Sequence, residues 1–290
     1  MASGLANVFG RLGGRGSLAE EVHDRIDRLE LPFSRFGADN YGISKKHLFY
    51  GFMGLGLLYK EYFRVRAYGT ENVPKRGRAM LIGNHSGGIA IDGAMVIASM
   101  FFDLEPPRLA QGMVEKFINR VPLASLWANR VGQFTGLPEH AVHLLEDERL
   151  LMVFPEGARG TAKLYWERNS LIHFGSGFMR LALQTHTPII PFGFIGGGDA
   201  LPTVMNAVKL GQAVGVPYLP ISAYVLPVPL PVQLSVHYGE PMLFDGTGNE
   251  DDATIEHQVG QVKARIAELI EHGERVRAAS YALPPRREEP

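Results

Sequence analysis

A short apolar run, a polar loop and a long apolar run follow one another in this chain, and their order constrains the fold more than any other feature. The first run, residues 79–83 (AMLIG), is tightly bounded and predicts a buried strand, while residues 93–102 are long enough for a core helix. The loop between them holds polar and small residues: Asn84, His85, Ser86, Gly87 and Gly88. Asp92 follows just before the helix. Because strand ends in α/β proteins are rigid while the next loop is free to contact a ligand, we expect a functional site here.

His85 and Asp92 have the chemistry of a general base. A neutral imidazole that is held by a carboxylate can accept a proton at physiological pH. The alternative is a buried histidine in an ordinary strand-to-helix turn, and a histidine without other support would favour that alternative. A second polar loop further along the chain favours the functional interpretation.

The second loop follows residues 150–154 (LLMVF), an apolar run that predicts another buried strand. It contains Glu156, Gly157 and Arg159. A guanidinium can donate two parallel hydrogen bonds to a phosphate, so this loop could hold an anionic headgroup. Glu156 and Arg159 could instead form a structural ion pair with each other.

Predicted strands and helices alternate along the chain, which indicates an α/β fold with a mixed, largely central sheet flanked by helices. The other predicted elements are strands at 64–68, 108–114, 187–194 and 233–238, and helices at 122–129, 138–147, 174–184 and 252–279. Ser17 and Glu20 form a capping-box pattern ahead of an amphipathic stretch. We therefore expect an N-terminal helical extension at residues 1–62, the main domain at residues 63–283 and a polar tail at residues 284–290.

Composition and missing motifs exclude several classes of function. The chain has no cysteine, which excludes disulfides, thiolate zinc sites and a cysteine nucleophile, and its formal net charge of −1 gives no reason to expect a nucleic-acid partner. The sequence also lacks a Gly-x-Ser-x-Gly elbow, a His-Glu-x-x-His helix and a phosphate-binding P-loop. What remains is a base for a substrate hydroxyl beside a loop with a cation, which is typical of direct group transfer to an alcohol.

Four short blocks then occur in order between residues 65 and 240. They are Asn84-His85 with Asp92, Gly132-Gln133-Phe134, Phe154 to Gly160, and Pro188-Ile189-Ile190-Pro191. These blocks resemble those of the glycerolipid acyltransferases typified by lysophosphatidic acid acyltransferase (PlsC-like). The third block, FPEGARG, is the most specific match, and the first resembles a subgroup with an expanded His-Ser-Gly-Gly loop.

The resemblance implies a fold and a mechanism. His85 would take a proton from an acceptor hydroxyl while that oxygen attacks the thioester of acyl-CoA or acyl carrier protein, and Asp92 would hold the imidazole. The third block would position the acceptor's headgroup. The substrate-binding candidates are Asn84, Ser86, Glu156, Gly157 and Arg159. The resemblance implies no metal and no cofactor, since the acyl donor is a substrate.

Two departures from the family pattern leave the acceptor open. Six residues, and not about four, separate His85 from Asp92; on a continuous helix they would lie ~10 Å apart along the axis, so we expect the glycines to form a loop that brings them together. Thr135-Gly136 stands where the second block usually ends in an arginine. Three cations could replace it: Arg130, Lys163 and Arg168. A solvated surface is the simpler expectation for the last two.

Three functions therefore stay open. The first is acyl transfer to a lysophospholipid or other glycerolipid, and the second is acyl transfer to a neutral or unusual lipid alcohol such as a diacylglycerol. The third is a catalytically inactive lipid-binding protein with the same fold. The intact His85, Asp92, Glu156 and Arg159 favour the first two.

Two apolar stretches suggest contact with a membrane. Residues 48–59 are too short to span a bilayer and form either a buried helix or an interfacial one, since lysines bracket them. Residues 210–239 contain no charged side chain, but five prolines exclude a spanning helix and predict an apolar loop over the core or at an interface. We expect a peripheral membrane protein on the cytoplasmic face.

Overall fold

The computed structural model describes residues 17–87, 90–114, 124–135, 138–213, 215–225 and 228–282. Its strands are β1 (Arg66–Tyr68), β2 (Ala79–Gly83), β3 (Ala110–Val114), β4 (Phe134–Thr135), β5 (Leu150–Val153), β6 (Ile189–Ile195), β7 (Thr203–Ala207), β8 (Leu219–Ser222) and β9 (Ser235–Tyr238). Seven of them form one sheet in the order β1-β9-β6-β2-β5-β3-β4. Neighbouring strands are parallel, except that β6 and β9 are antiparallel. The expected mixed, central sheet is confirmed.

Helices cover both faces of this sheet. They are α1 (Leu18–Asp27), α2 (Lys45–Gly56, continued by a π-helical turn at Leu57–Tyr62), α3 (Ile91–Phe102), α4 (Ala124–Arg130), α5 (Pro138–Glu146), α6 (Ala158–Thr161), α7 (Gly177–Gln184), α8 (Gly197–Ala200), α9 (Val208–Ala213) and α10 (Asp252–Ala282). Strands β2 and β6 are buried along their whole length, as expected for parallel strands with helices on both sides. This packing explains why their sequences are apolar without alternation.

The N-terminal helices pack against the sheet. The capping box of Ser17 and Glu20 begins α1, whose buried side chains join the same apolar cluster as strand β2 and helix α3. Helix α2 buries one face through Leu48 and Phe52, and the Phe52 ring stacks on Phe101 with 3.6 Å between centroids. Its other face leaves several apolar side chains exposed: Tyr50, Leu57 and Leu58. The helix is therefore buried on one face. Contact of its exposed face with a membrane and the domain boundary at residue 63 stay predictions.

Two sequence predictions were wrong in detail. The helix expected at 174–184 begins at Gly177, three residues later than predicted. Part of the segment predicted as an apolar loop, residues 210–239, belongs to a second sheet. Its strand β8 pairs antiparallel with β7, and α9 connects the two strands. We call residues 203–222 the hairpin unit. The prolines that exclude a long helix are compatible with this unit because an edge strand need not donate every backbone hydrogen bond.

In the part of the chain that the structure describes, every helix is too short or too polar to cross a bilayer.

Candidate active site

The two polar loops meet because their strands are neighbours. Strands β2 and β5 run parallel in register from Ala79↔Leu150 to Ile82↔Val153, so both loops leave the same edge of the sheet. Strand β6 flanks β2 on the other side and adds a third loop to this edge. The carboxyl ends of parallel strands are where α/β proteins bind ligands.

His85 and Asp92 lie in direct contact. Nδ1 of His85 is 3.1 Å from each carboxylate oxygen of Asp92. The carboxylate also accepts hydrogen bonds from the backbone N–H of Ser86 at 3.0 Å and of Gly93 at 2.8 Å. Burial of Asp92 alone would raise its pKa, but His85 and these donors outweigh burial and hold the pKa below its usual value. Asp92 is therefore an anion that fixes the imidazole.

The long spacing between the two residues is accommodated as expected, by a loop. Helix α3 begins only at Ile91, and Gly87 adopts a left-handed φ of +90°. A side chain at Gly87 would be strained there, and its Cβ would come 2.7 Å from the backbone oxygen of Lys163. Gly88, the other glycine of the predicted pair, lies outside the described residues.

The imidazole is oriented by an aromatic ring as well as by Asp92. Phe154, at the end of β5, stacks on His85 with 4.0 Å between ring centroids and an angle of 10° between planes. Because Nδ1 donates its proton to Asp92, Nε2 is left with a lone pair. This is the nitrogen that a general base needs.

Asn84 and Ser86 make structural contacts, although substrate contacts were expected. The Asn84 amide donates to the backbone oxygen of Phe194 at 3.1 Å and accepts from its N–H at 2.8 Å, which ties the His85 loop to β6. The Ser86 hydroxyl lies 3.4 Å from Asp92 and against Gly197, where an added Cβ would overlap it. Both side chains are buried. The geometry thus assigns them to the support of the dyad.

Glu156 differs most from the sequence expectation. It is buried, and its partner is Lys163, with 2.5 Å between Nζ and Oε2, and not Arg159. Lys163 is equally buried, so the expectation of a solvated lysine was wrong. Burial raises the pKa of Glu156 and lowers that of Lys163, although each charge opposes the shift of the other. Both carboxylate oxygens of Glu156 are buried.

Arg159 is the exposed cation of this loop. It lies in α6, a short helix that begins directly after Gly157. Gly157 has a left-handed φ of +59°. Among the described residues, no hydrogen bond or ion pair engages the Arg159 guanidinium. This side chain is therefore available to a ligand beside the dyad.

The three cations that could replace the second-block arginine are engaged elsewhere. Arg130 reaches the backbone oxygen of Gly42 at 3.4 Å, and Lys163 is paired as described. Arg168 lies 3.2 Å from Asp199 and over the ring of Tyr165. Gly136, at the substituted position itself, lies outside the described residues.

Three contributors to the site have contacts that the sequence did not predict: Phe154, Gly160 and Lys163. Phe154 and Gly160 lie inside the third block, so that motif points to them, but their contacts with His85 depend on the pairing of β2 with β5. Lys163 has no motif around it. Within the described ranges, no group of three or more His, Asp or Glu side chains lies close enough together to hold a metal ion.

A histidine–aspartate pair at the strand ends of an α/β sheet, next to an exposed arginine, is the arrangement that the resemblance implied for an acyltransferase. Residues 64–195 match the family model described as Acyltransferase. The fold is similar to the crystal structure of the 1-acyl-sn-glycerophosphate (LPA) acyltransferase PlsC from Thermotoga maritima, with a TM-score of 0.53, 15% identity and 79% of each chain covered.

The relatives found by sequence similarity say less about the activity. An uncharacterized protein of Mycobacterium tuberculosis, Rv0502, is 29% identical over 226 residues, which cover 74% of this chain and 63% of that protein. A protein of Bos taurus named "DGAT1/2-independent enzyme synthesizing storage lipids" is 24% identical over 218 residues, covering 72% and 60%. The chain thus spans less than two thirds of the length of these curated relatives. The comparisons thus show a match to the Acyltransferase family model, a PlsC-like fold and distant sequence similarity to a protein named for lipid synthesis.

Proposed function

We propose that this protein moves a fatty acyl group from an acyl-CoA or acyl carrier protein thioester to a hydroxyl of a lysophospholipid or other glycerolipid. The observation that carries the proposal is the His85–Asp92 pair, in which the carboxylate holds Nδ1 and leaves Nε2 for the acceptor. The match of residues 64–195 to the Acyltransferase family model supports the reaction class.

The reaction balances with this dyad alone. Nε2 of His85 accepts the proton of the acceptor hydroxyl while the oxygen attacks the thioester carbonyl carbon. The tetrahedral intermediate collapses, its C–S bond breaks, and the thiolate takes the proton back from the imidazolium. The products are an ester and a free thiol. Asp92 stabilises the imidazolium in between and keeps the ring in the productive tautomer.

Arg159 is the residue that we assign to the acceptor. It is exposed, lies in the third-block loop and has no competing partner among the described residues. An unpaired guanidinium favours an anionic group, and a phosphate would accept two hydrogen bonds from it. Gly157, which turns the chain into α6, would let backbone and ligand approach closely.

A neutral acceptor is the second candidate, and a specific observation favours it. The three cations that could supplement Arg159 have other partners: Lys163 pairs with Glu156, Arg168 pairs with Asp199, and Arg130 contacts the backbone oxygen of Gly42. A phosphate monoester carries up to two negative charges, and of these four described cations only Arg159 has no partner. The relative named for storage-lipid synthesis also suits a diacylglycerol-like acceptor.

The membrane is the partner that we propose for the apolar surface. Helix α2 and the segment after the hairpin unit are linked, because the Tyr62 hydroxyl donates to the backbone oxygen of Pro229 at 2.7 Å. Residues 200–239 contain a single charged side chain, Lys209, which suits anionic lipid. Many apolar side chains there are exposed: Val204, Met205, Val208, Leu210, Val225, Val228 and Leu230. Burial of such a surface gives reversible, peripheral attachment, which we assign to the cytoplasmic face.

The same surface is attached to the site. The Tyr218 hydroxyl donates to Thr161 Oγ1 at 2.6 Å, and the Asn206 amide donates to the backbone oxygen of Ala162 at 2.6 Å. Both partners follow Arg159 closely along the chain. A bilayer that contacts the hairpin unit would therefore lie beside the loop that binds the acceptor.

The test is thioester consumption by the purified protein, followed as free thiol, against lysophosphatidic acid, other lysophospholipids, monoacylglycerol and diacylglycerol. We expect turnover with at least one of these acceptors, loss of turnover in His85→Ala, and a decrease of ~10³–10⁴-fold in Asp92→Asn. His143→Ala is the matched control, since that side chain is 70% exposed and far from this chemistry in its contacts. Near-normal turnover by Asp92→Asn would refute the dyad. Failure of the wild type and of all variants to consume thioester would favour the inactive lipid-binding alternative.

A further inference from the structure

Lys163 connects the two loops of the site through a single buried ammonium group. Its Nζ donates to the backbone oxygen of His85 at 2.7 Å and lies 2.5 Å from Glu156 Oε2. The first contact joins residues 78 positions apart, and the Lys163 side chain is 1% exposed. Among the described residues, this is the side-chain hydrogen bond that the His85 carbonyl accepts.

The backbone around Lys163 is packed just as closely against the first loop. An added Cβ at Gly87 would come 2.7 Å from the Lys163 oxygen, and one at Gly160 would come 2.8 Å from His85 Cβ. The loop from Glu156 to Lys163 thus packs directly against the His85 loop, with no space for a side chain between them. A change in either partner of the ion pair would be transmitted to His85.

A buried ion pair is costly to maintain, and its presence here calls for a role. Two charges removed from water lose solvation that their attraction often fails to recover, so apolar residues of similar size would frequently be as stable. In some proteins, pairs of this kind specify one arrangement of the chain over others. At this site the arrangement specified is that of the general base.

We propose that Lys163 is a positioning residue for His85, with Glu156 as its counter-ion, and that Glu156 does not bind the acceptor. The kinetic part of this inference rests on the acyl transfer proposed above. Lys163 holds the carbonyl of His85, Asp92 holds the ring, and Arg159 is left as the acceptor's cation. This differs from the family expectation, in which Glu156 and Arg159 would act together on the headgroup.

Three variants distinguish whether Glu156 acts as the counter-ion of Lys163 or binds the acceptor. They are Lys163→Met, Glu156→Gln and the double variant, with Lys75→Met as a control because Lys75 is exposed. Since a misplacement of about 1 Å can cost ~100-fold in rate, we expect Lys163→Met to lower kcat by up to ~100-fold with the KM for both substrates unchanged. The double variant should lose less than the product of the single losses, because the two side chains act as a pair. A raised acceptor KM in Glu156→Gln, with independent losses in the double variant, would overturn the proposal.

A second readout does not depend on turnover. Diethyl pyrocarbonate modifies accessible histidines, and peptide mass spectrometry gives the rate at His85 relative to exposed His143 in the same digest. His85 is 7% exposed in the native site, so release of its loop in Lys163→Met should raise this relative rate several-fold, while Lys75→Met should leave it unchanged. An unchanged rate in folded Lys163→Met would refute the positioning role.

The two readouts distinguish failure of this inference from failure of the proposed function. If the wild-type protein consumes no thioester with any acceptor, the proposed function fails and the labelling rate alone decides the role of Lys163. If Lys163→Met does not fold, the double variant carries the same comparison, since it leaves no unpaired buried charge. In it the relative His85 rate should still exceed that of the wild type, and equality would overturn the proposal.

Discussion

A methyl group added at Gly160 would enter the space between His85 and Glu156. Its Cβ would lie 2.7 Å from Glu156 Oε2 and 2.8 Å from His85 Cβ. Carbon atoms pack at ~3.5–4.0 Å, so the His85 backbone would have to retreat by at least about 0.7 Å. Glu156 cannot move freely to make room, because Lys163 holds its carboxylate.

The size of the effect follows from that displacement. A shift of this order at a general base lowers kcat by ~10–100-fold. The cost in stability is smaller, since overpacking costs ~1–3 kcal/mol and alanine in a helix returns up to ~1 kcal/mol relative to glycine. We therefore expect Gly160→Ala to be folded, slightly less stable and ~10–100-fold less active.

Steady-state kinetics with thermal unfolding measures both quantities. Gly260→Ala is the control, because it lies in α10 and an added Cβ there meets nothing within 4 Å; it should keep full activity and gain up to ~1 kcal/mol. Full activity of Gly160→Ala would show that the third-block loop does not set the position of His85, and would refute the close packing on which this reasoning rests.

Three further predictions test other parts of the molecule. Arg159→Ala should raise the KM for a phosphate-bearing acceptor by roughly 10–100-fold, equivalent to a charge-assisted hydrogen bond of ~1.5–3 kcal/mol, and spare the donor KM, with partial recovery in Arg159→Lys; equal losses for donor and acceptor would mean that Arg159 supports the loop. Burial and the nearby His272 lower the pKa of His237 from 6.5 to about 4. The unfolded chain therefore binds a proton in this range that the folded one does not, so the free energy of unfolding should fall by up to ~1.4 kcal/mol per pH unit as the pH decreases from 6.5 to 4, and His237→Asn should remove this slope in urea titrations. Met205→Glu should weaken sedimentation with anionic vesicles, whereas Leu243→Glu, at a residue 76% exposed and outside the hairpin unit, should not; equal binding of both variants would contradict the proposed membrane surface.

The site could be located from sequence because its signals are local. The apolar run at 79–83, the polar loop after it and the run at 150–154 each predict an element from a few neighbouring residues, and parallel strands then bring their carboxyl ends together. The capping box at Ser17 and the terminal helix α10 were predictable for the same reason. The third block identified the acyltransferase resemblance before any contact was known.

Which side chain each residue meets could not be predicted in this way. Asn84 meets Phe194 across 110 positions, and Lys163 meets the His85 carbonyl across 78. Sequence proximity suggested that Glu156 pairs with Arg159, three residues away, but the chain turns at Gly157 and directs one side chain inward and the other outward.

The sequence by itself predicted most strands and helices of the main sheet and the place of the two polar loops, because hydrophobic periodicity, glycine and polar residue types act within a few positions. The general-base role of His85 with Asp92 stays a prediction. The tertiary structure alone decided that Glu156 and Lys163 are buried together, that Phe154 stacks on the imidazole and that β7 pairs with β8. The physical reason is that burial and pairing depend on how strands distant in sequence align in the sheet, and a long side chain such as lysine reaches whichever partner that alignment presents.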